Sequence, residues 1–142
     1  MTSGVWLGVD VGTVRVGVAR CDPLGVLATP LVTLARDTQD SRDIGELANL
    51  VREHGAVGVI VGLPRTLRNR EGASAAMARA FGAALGAAIT PVPVEYVDER
   101  LTTVSAERKL AERGIRGRDR RAVVDQAAAV ELLQHWLDVH RA

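Results

Sequence analysis

The first stretch of the chain alternates apolar and small residues with a period of two. Val5, Leu7, Val9 and Val11 read as one strand and Val14, Val16 and Val18 as a second, and Gly12-Thr13 between them predicts a hairpin. Val26 to Leu34 reads as a third, shorter strand, in which Pro30 marks an irregularity or an edge. After the polar loop Asp37–Asp40 the period changes. Ile44, Leu47, Ala48 and Val51 have the spacing of a helix with one apolar face, which Asp40 or Ser41 can cap and Gly55 can end. The continuous apolar run Val57–Val61 suits a central strand covered on both faces, and it closes at Gly62-Leu63-Pro64. A polar loop leads to Gly72, followed by an alanine-rich helix from Ala73 to Ala88 with Met77, Phe81, Ala84 and Leu85 on one side. Pro91 to Val97 is a strand, placed at a sheet edge because Pro93 cannot donate to a ladder. Thr102 or Thr103 would cap a helix reaching about Ala111, and a last helix would start near Arg121 and end near His140. The order β-β-β-α-β-α-β-α-α predicts an α/β domain over residues 1–142, with a mixed five-stranded sheet flanked by helices.

Composition narrows this picture. With 142 residues, 47% hydrophobic but only 3% aromatic, the core must be built from Val, Leu, Ile and Ala. No apolar run is long enough to span a membrane, no basic leader precedes the first strand, and the single Cys21 cannot make an internal disulfide or a cysteine-based zinc site. A cytoplasmic location is the expectation. A net charge of +1 does not announce a nucleic-acid binder, but the cations are nearly all arginine, with Lys109 the sole lysine. Arginines crowd at Arg65, Arg68 and Arg70 and again from Arg113 through Arg116, Arg118, Arg120 and Arg121. Arginine forks suit phosphate, although an arginine-favouring genome would give the same bias.

Three sets of carboxylates stand where charge is costly. Asp10 lies in the middle of the first strand, where it needs a local hydrogen bond or a cation. Asp98 and Glu99 close the edge strand. Asp125 shares a helical stripe with Ala128, Ala129, Leu132 and Trp136, whereas Gln126, Gln134 and Asp138 fall on the other side. Each alone has an ordinary explanation, such as a helix dipole, a cap or a salt bridge to Arg100. Together, with no His or Cys beside them, they suit Mg²⁺ or Mn²⁺. Paired ions of this kind activate water and stabilise the leaving oxygen in phosphodiester cleavage. The histidines 54, 135 and 140 are read as surface residues, Trp6 and Trp136 as core, Cys21 as structural, and Tyr96 as packing rather than base stacking.

The segments DVGTVRVGVAR (10–20), VGLP (61–64), VDERLTT (97–103) and VVDQAAAVELLQHWL (123–137) resemble the YqgF/RuvX family of ribonuclease H-like proteins, described as pre-16S rRNA nucleases and Holliday-junction-resolvase-like proteins. The first segment alone also resembles actin-like ATPases, but those need two related domains around a cleft. The resemblance covers nearly the whole chain. It implies strand order 3-2-1-4-5 and metal-binding acids at Asp10, Glu99 and Asp125, with Asp98 close behind Glu99. It also implies a metal-dependent endonuclease acting on the 5′ end of precursor 16S rRNA, with ribosomal particles as a candidate partner, as monomer or homodimer. Arg15, Arg65, Arg68, Arg70, Arg116, Arg118, Arg120 and Arg121 would then grip phosphates, and Arg100 would orient Glu99 or neutralise the cleaved phosphate. The alternatives are a resolvase of DNA four-way junctions and a non-catalytic nucleic-acid-binding module. One loop departs from the family: Arg65-Thr66-Leu67-Arg68-Asn69-Arg70-Glu71-Gly72 stands where many members carry an Asn-Met-Asp-Gly type segment.

Overall fold

The period-two stretches at the start of the chain form two antiparallel strands, β1 (Trp6–Val11) and β2 (Arg15–Cys21), closed by a turn in which the Gly12 amide donates to the Arg15 carbonyl at 2.8 Å. The computed structural model describes residues 4–64, 71–99 and 118–140, with side chains from residue 124 in the last stretch. β3 (Ala28–Ala35) pairs antiparallel with β2, and its register slips opposite Val18 and Ala19, beside Pro30. Helix α1 (Arg42–Glu53) leads to β4 (Gly58–Leu63), helix α2 (Ala73–Ile89) to β5 (Val94–Asp98), and α3 (Arg118–His140) ends the description. The sheet order is β3-β2-β1-β4-β5, with β1, β4 and β5 parallel. The strands anticipated at the two edges are at the edges. The helix anticipated at 103–111 and the loop 65–70 lie outside the described residues.

Alternation divides the sheet into two faces. Leu7, Val9, Val11, Val16, Val18, Val59, Val61 and Leu63 meet α1 and α2 through Leu47, Ala48, Val51, Ala78, Phe81 and Leu85. Trp6, Ala19, Cys21, Ile60 and Val97 meet α3 through Ala128, Ala129, Leu132, Leu133, Trp136 and Leu137. The Trp6 and Trp136 rings lie 4.1 Å apart, and the buried Cys21 thiol accepts from the Trp6 amide at 3.1 Å, so these three residues are structural. Tyr96 packs under Arg79, whose guanidinium sits 5.1 Å from the ring centre.

Three local expectations are corrected. Ser41 occupies the α1 N-cap but makes no side-chain cap, because its backbone is left-handed (φ 55°). The Asp37 carboxylate instead accepts from the amides of Gln39, Asp40 and Arg42. Ala84 is exposed, and Ala75 and Ala78 take the inner face of α2. Gln126 and Gln134 are half-buried rather than turned to solvent. Gln126 donates to Thr33 Oγ1 at 2.9 Å, and Gln134 accepts from the Ala28 amide and donates to the Val26 carbonyl, so α3 is bound to the β3 side of the sheet. Among the described residues no helix is long and apolar enough to cross a membrane.

Candidate acidic cleft at the carboxyl ends of the parallel strands

Asp10 sits near the end of the central strand, 2% exposed. Its cross-strand partner on β2 is Gly17. Directly opposed residues share a face, and Gly17 lies under α3. A Cβ at Gly17 would stand 2.1 Å from the Asp125 carbonyl oxygen and 3.0 Å from the Asp125 Cβ. A glycine there lets the helix descend far enough for Asp125 to join the face that carries Asp10. On the other flank, β1 and β4 are paired through Val9 and Val61, so Gly62 continues the register beside Asp10. A Cβ at Gly62 would meet Leu132 at 2.6 Å and the Glu99 Oε1 at 3.0 Å. Two glycines thus flank the central aspartate, and the space they leave admits Asp125 from one side and Glu99 from the other.

The same alternation distinguishes Glu99 from Asp98. Val97 pairs with Gly62 and belongs to the α3 face, so Asp98 points to the opposite face and Glu99 returns. The carboxylate found over Gly62 is that of Glu99, which is 7% exposed. Burial, and then the neighbouring Asp98 charge, push the Glu99 carboxyl above its ordinary range.

Asp125 carries a partner that the sequence did not reveal. Arg15 Nε donates to Asp125 Oδ2 at 2.8 Å, joining side chains 27% and 17% exposed. Arg15 opens β2 two residues before Gly17 and shares its face, which brings it under the start of α3. These groups border a cleft of about 360 Å³ lined by Val11, Gly12, Thr13, Arg15, Pro64, Ser74, Met77, Glu99 and Asp125. Its rim includes the carboxyl ends of β1, β4 and β5, the place where open α/β sheets bind ligands. Of the arginines proposed for phosphate, Arg15 is therefore placed at the cleft in an ion pair. Arg65, Arg68, Arg70, Arg100 and Arg116 lie outside the described residues, and the side chains of Arg118, Arg120 and Arg121 at the start of α3 are likewise not described.

The donor set suits a hard cation in kind, being all carboxylate. Among the described residues no three His, Cys, Asp or Glu side chains are already gathered around one point that could hold a metal ion. Asp125 is turned to Arg15 instead. Glu99 and Asp125 line the cleft, and Asp10 lies on the same face of the sheet beside it.

A mixed sheet in this order, with helices on both faces and acids at the central strand and the parallel strand ends, is the ribonuclease H-like fold. Thermus thermophilus RuvC in complex with Holliday junction substrate shares it, with a TM-score of 0.60 over 96% of this chain and 94% of that one, at 16% identity. The chain belongs to the RuvX family, described as "RuvX: Holliday junction resolvase", whose pattern matches residues 4–139. Relatives named "Putative pre-16S rRNA nuclease" include one from Frankia casuarinae, 56% identical over 96% of this chain and 68% of that protein. Another, from Nocardioides sp., is 53% identical over 100% of this chain and 92% of that protein.

Proposed function

We propose that the protein is a nuclease dependent on Mg²⁺ or Mn²⁺ that cuts precursor 16S rRNA at its 5′ side. The observation that carries this reading is that Asp10, Asp125 and Glu99 fall on one face of the sheet, where Gly17 and Gly62 leave room for the two outer acids. The family membership and the relatives' names support the nuclease reading and the ribosomal substrate. Asp10, Glu99 and Asp125 would hold the cation. A divalent ion bound there supplies an acidified water and positive charge beside the departing 3′ oxygen.

The chain's own residues provide the rest. Asp10 is fixed by a strand with a neighbour on each side, so its carboxylate needs little reorganisation to bind. Glu99, buried and beside Asp98, is a carboxylate whose ionised form gains most from a nearby cation. Arg15 at the cleft, with the arginines of 65–70 and 116–121, would hold phosphates flanking the cut, a grip that weakens as salt rises. The family's description as a resolvase keeps DNA junction cleavage as a second reading. The test is a cleavage assay with Mg²⁺ or Mn²⁺ on a precursor 16S rRNA fragment, a single-stranded RNA and a DNA four-way junction, run beside Asp10→Asn. The wild type is expected to cut the rRNA fragment and the variant to lose at least about 100-fold in rate. Preferential cutting of the junction moves the substrate to DNA, and undiminished cutting by Asp10→Asn rejects the mechanism.

A further inference from the structure

We propose that Arg15 is a built-in counter-cation that withholds Asp125 from divalent metal until a phosphate backbone arrives, so that metal and nucleic acid load together. This deepens the reading above and rests on it. Its basis is the 2.8 Å bond from Arg15 Nε to Asp125 Oδ2, between side chains 110 positions apart that border the same cleft. A carboxylate paired with a guanidinium is a weaker ligand, because a cation must compete with the arginine's positive charge beside it as well as shed its own water. The bond uses Nε alone. The terminal nitrogens of an arginine fork match a phosphate in two-pronged fashion, so a phosphodiester entering the cleft is a better partner for Arg15 than one carboxylate oxygen is.

Exchange of partners then balances charge. Arg15 passes from Asp125 to the phosphate, and Asp125 turns to the metal beside Asp10 and Glu99. The half-buried position of both side chains makes the exchange feasible: each keeps one side toward the cleft, and neither is locked in the core. Coupling of this kind is reciprocal, so whatever RNA does for metal affinity, metal does for RNA affinity. A pair that served only to tie β2 to α3 would affect stability and leave that coupling untouched.

The experiment is a calorimetric titration of Mn²⁺ into the wild type and Arg15→Gln, each with and without a short nuclease-resistant 2′-O-methyl RNA. Without RNA, Arg15→Gln is expected to bind Mn²⁺ roughly tenfold more tightly than the wild type. RNA should tighten the wild-type affinity by a similar factor and leave the variant nearly unchanged. A folded variant with equal or weaker Mn²⁺ affinity overturns the proposal, and so does an equal effect of RNA on both proteins. If the variant does not fold by circular dichroism, the wild-type arm still decides, because an Mn²⁺ affinity indifferent to RNA overturns the exchange. Absence of saturable Mn²⁺ binding by any protein overturns the metal site itself, a failure distinct from that of Arg15.

Discussion

Replacing Gly17 by alanine tests how the acids are brought together. The new methyl would lie 2.1 Å from the Asp125 carbonyl oxygen and 2.4 Å from its carbon, where ordinary contact begins near 3.4 Å. The obstacle is backbone inside a 23-residue helix, so no rotamer change relieves it. Helix α3 must retreat by more than an ångström and loosen Ala128, Ala129, Leu132 and Leu133 from the sheet, or β2 must bend away from β1. Overpacking against side chains costs about 1–3 kcal/mol. Against a fixed carbonyl we expect about 3 kcal/mol, which in a domain of this size lowers Tm by roughly 10 °C. Gly45→Ala is the control: nothing lies within 4 Å of its added methyl, and in an exposed helical position it should gain about 0.5–1 kcal/mol. Urea unfolding followed by circular dichroism measures both. A Gly17→Ala loss below about 1 kcal/mol would mean that α3 does not press on β2 at this point, and the convergence of Asp125 with Asp10 would lose its basis.

Glu99→Gln should raise Tm in EDTA at neutral pH. The raised carboxyl binds its proton more tightly in the folded than in the unfolded chain, so the ionised form costs stability above the folded value. The gain should shrink as pH falls through that value toward the ordinary 4.5; a variant no more stable than wild type at pH 7 contradicts the assignment. Asp43 is 1% exposed and accepts from Arg36 Nη1 at 2.8 Å and the Ile44 amide at 2.9 Å, while Arg36 stacks 5.2 Å from the Phe81 ring centre. Asp43→Ala strands that guanidinium and should cost about 3–5 kcal/mol in urea unfolding, whereas a loss under 1 kcal/mol would show that Arg36 finds water instead.

Much of this architecture could be read from periodicity. The hairpin, the fully buried β4 and the inner stripe of α3 follow from spacing alone, because each buried face imposes its repeat on the sequence. Asp125 was visible for the same reason, as a charge on an apolar stripe. The Arg15–Asp125 pair was not, since spacing within one element says nothing about a contact 110 residues away. Nor were the parts of Gly17 and Gly62, because a glycine in a strand reads as a weak point until the helix above it is known. Gln126 and Gln134 misled for a related reason. Polar residues beside an apolar stripe suggest solvent, but here an edge strand with open backbone groups and a threonine lay within reach. The resemblance set Glu99 ahead of Asp98, and the pairing of Val97 with Gly62 supplies the physical reason.

The central claim is that Asp10, Glu99 and Asp125 close on one divalent cation. Anomalous diffraction from a crystal of the protein with Mn²⁺ and a nuclease-resistant RNA measures this directly. The account predicts a manganese peak in direct coordination with all three carboxylates, at the cleft that Arg15 borders. A peak held by other residues, or acids that stay apart with the ion saturating, would contradict it.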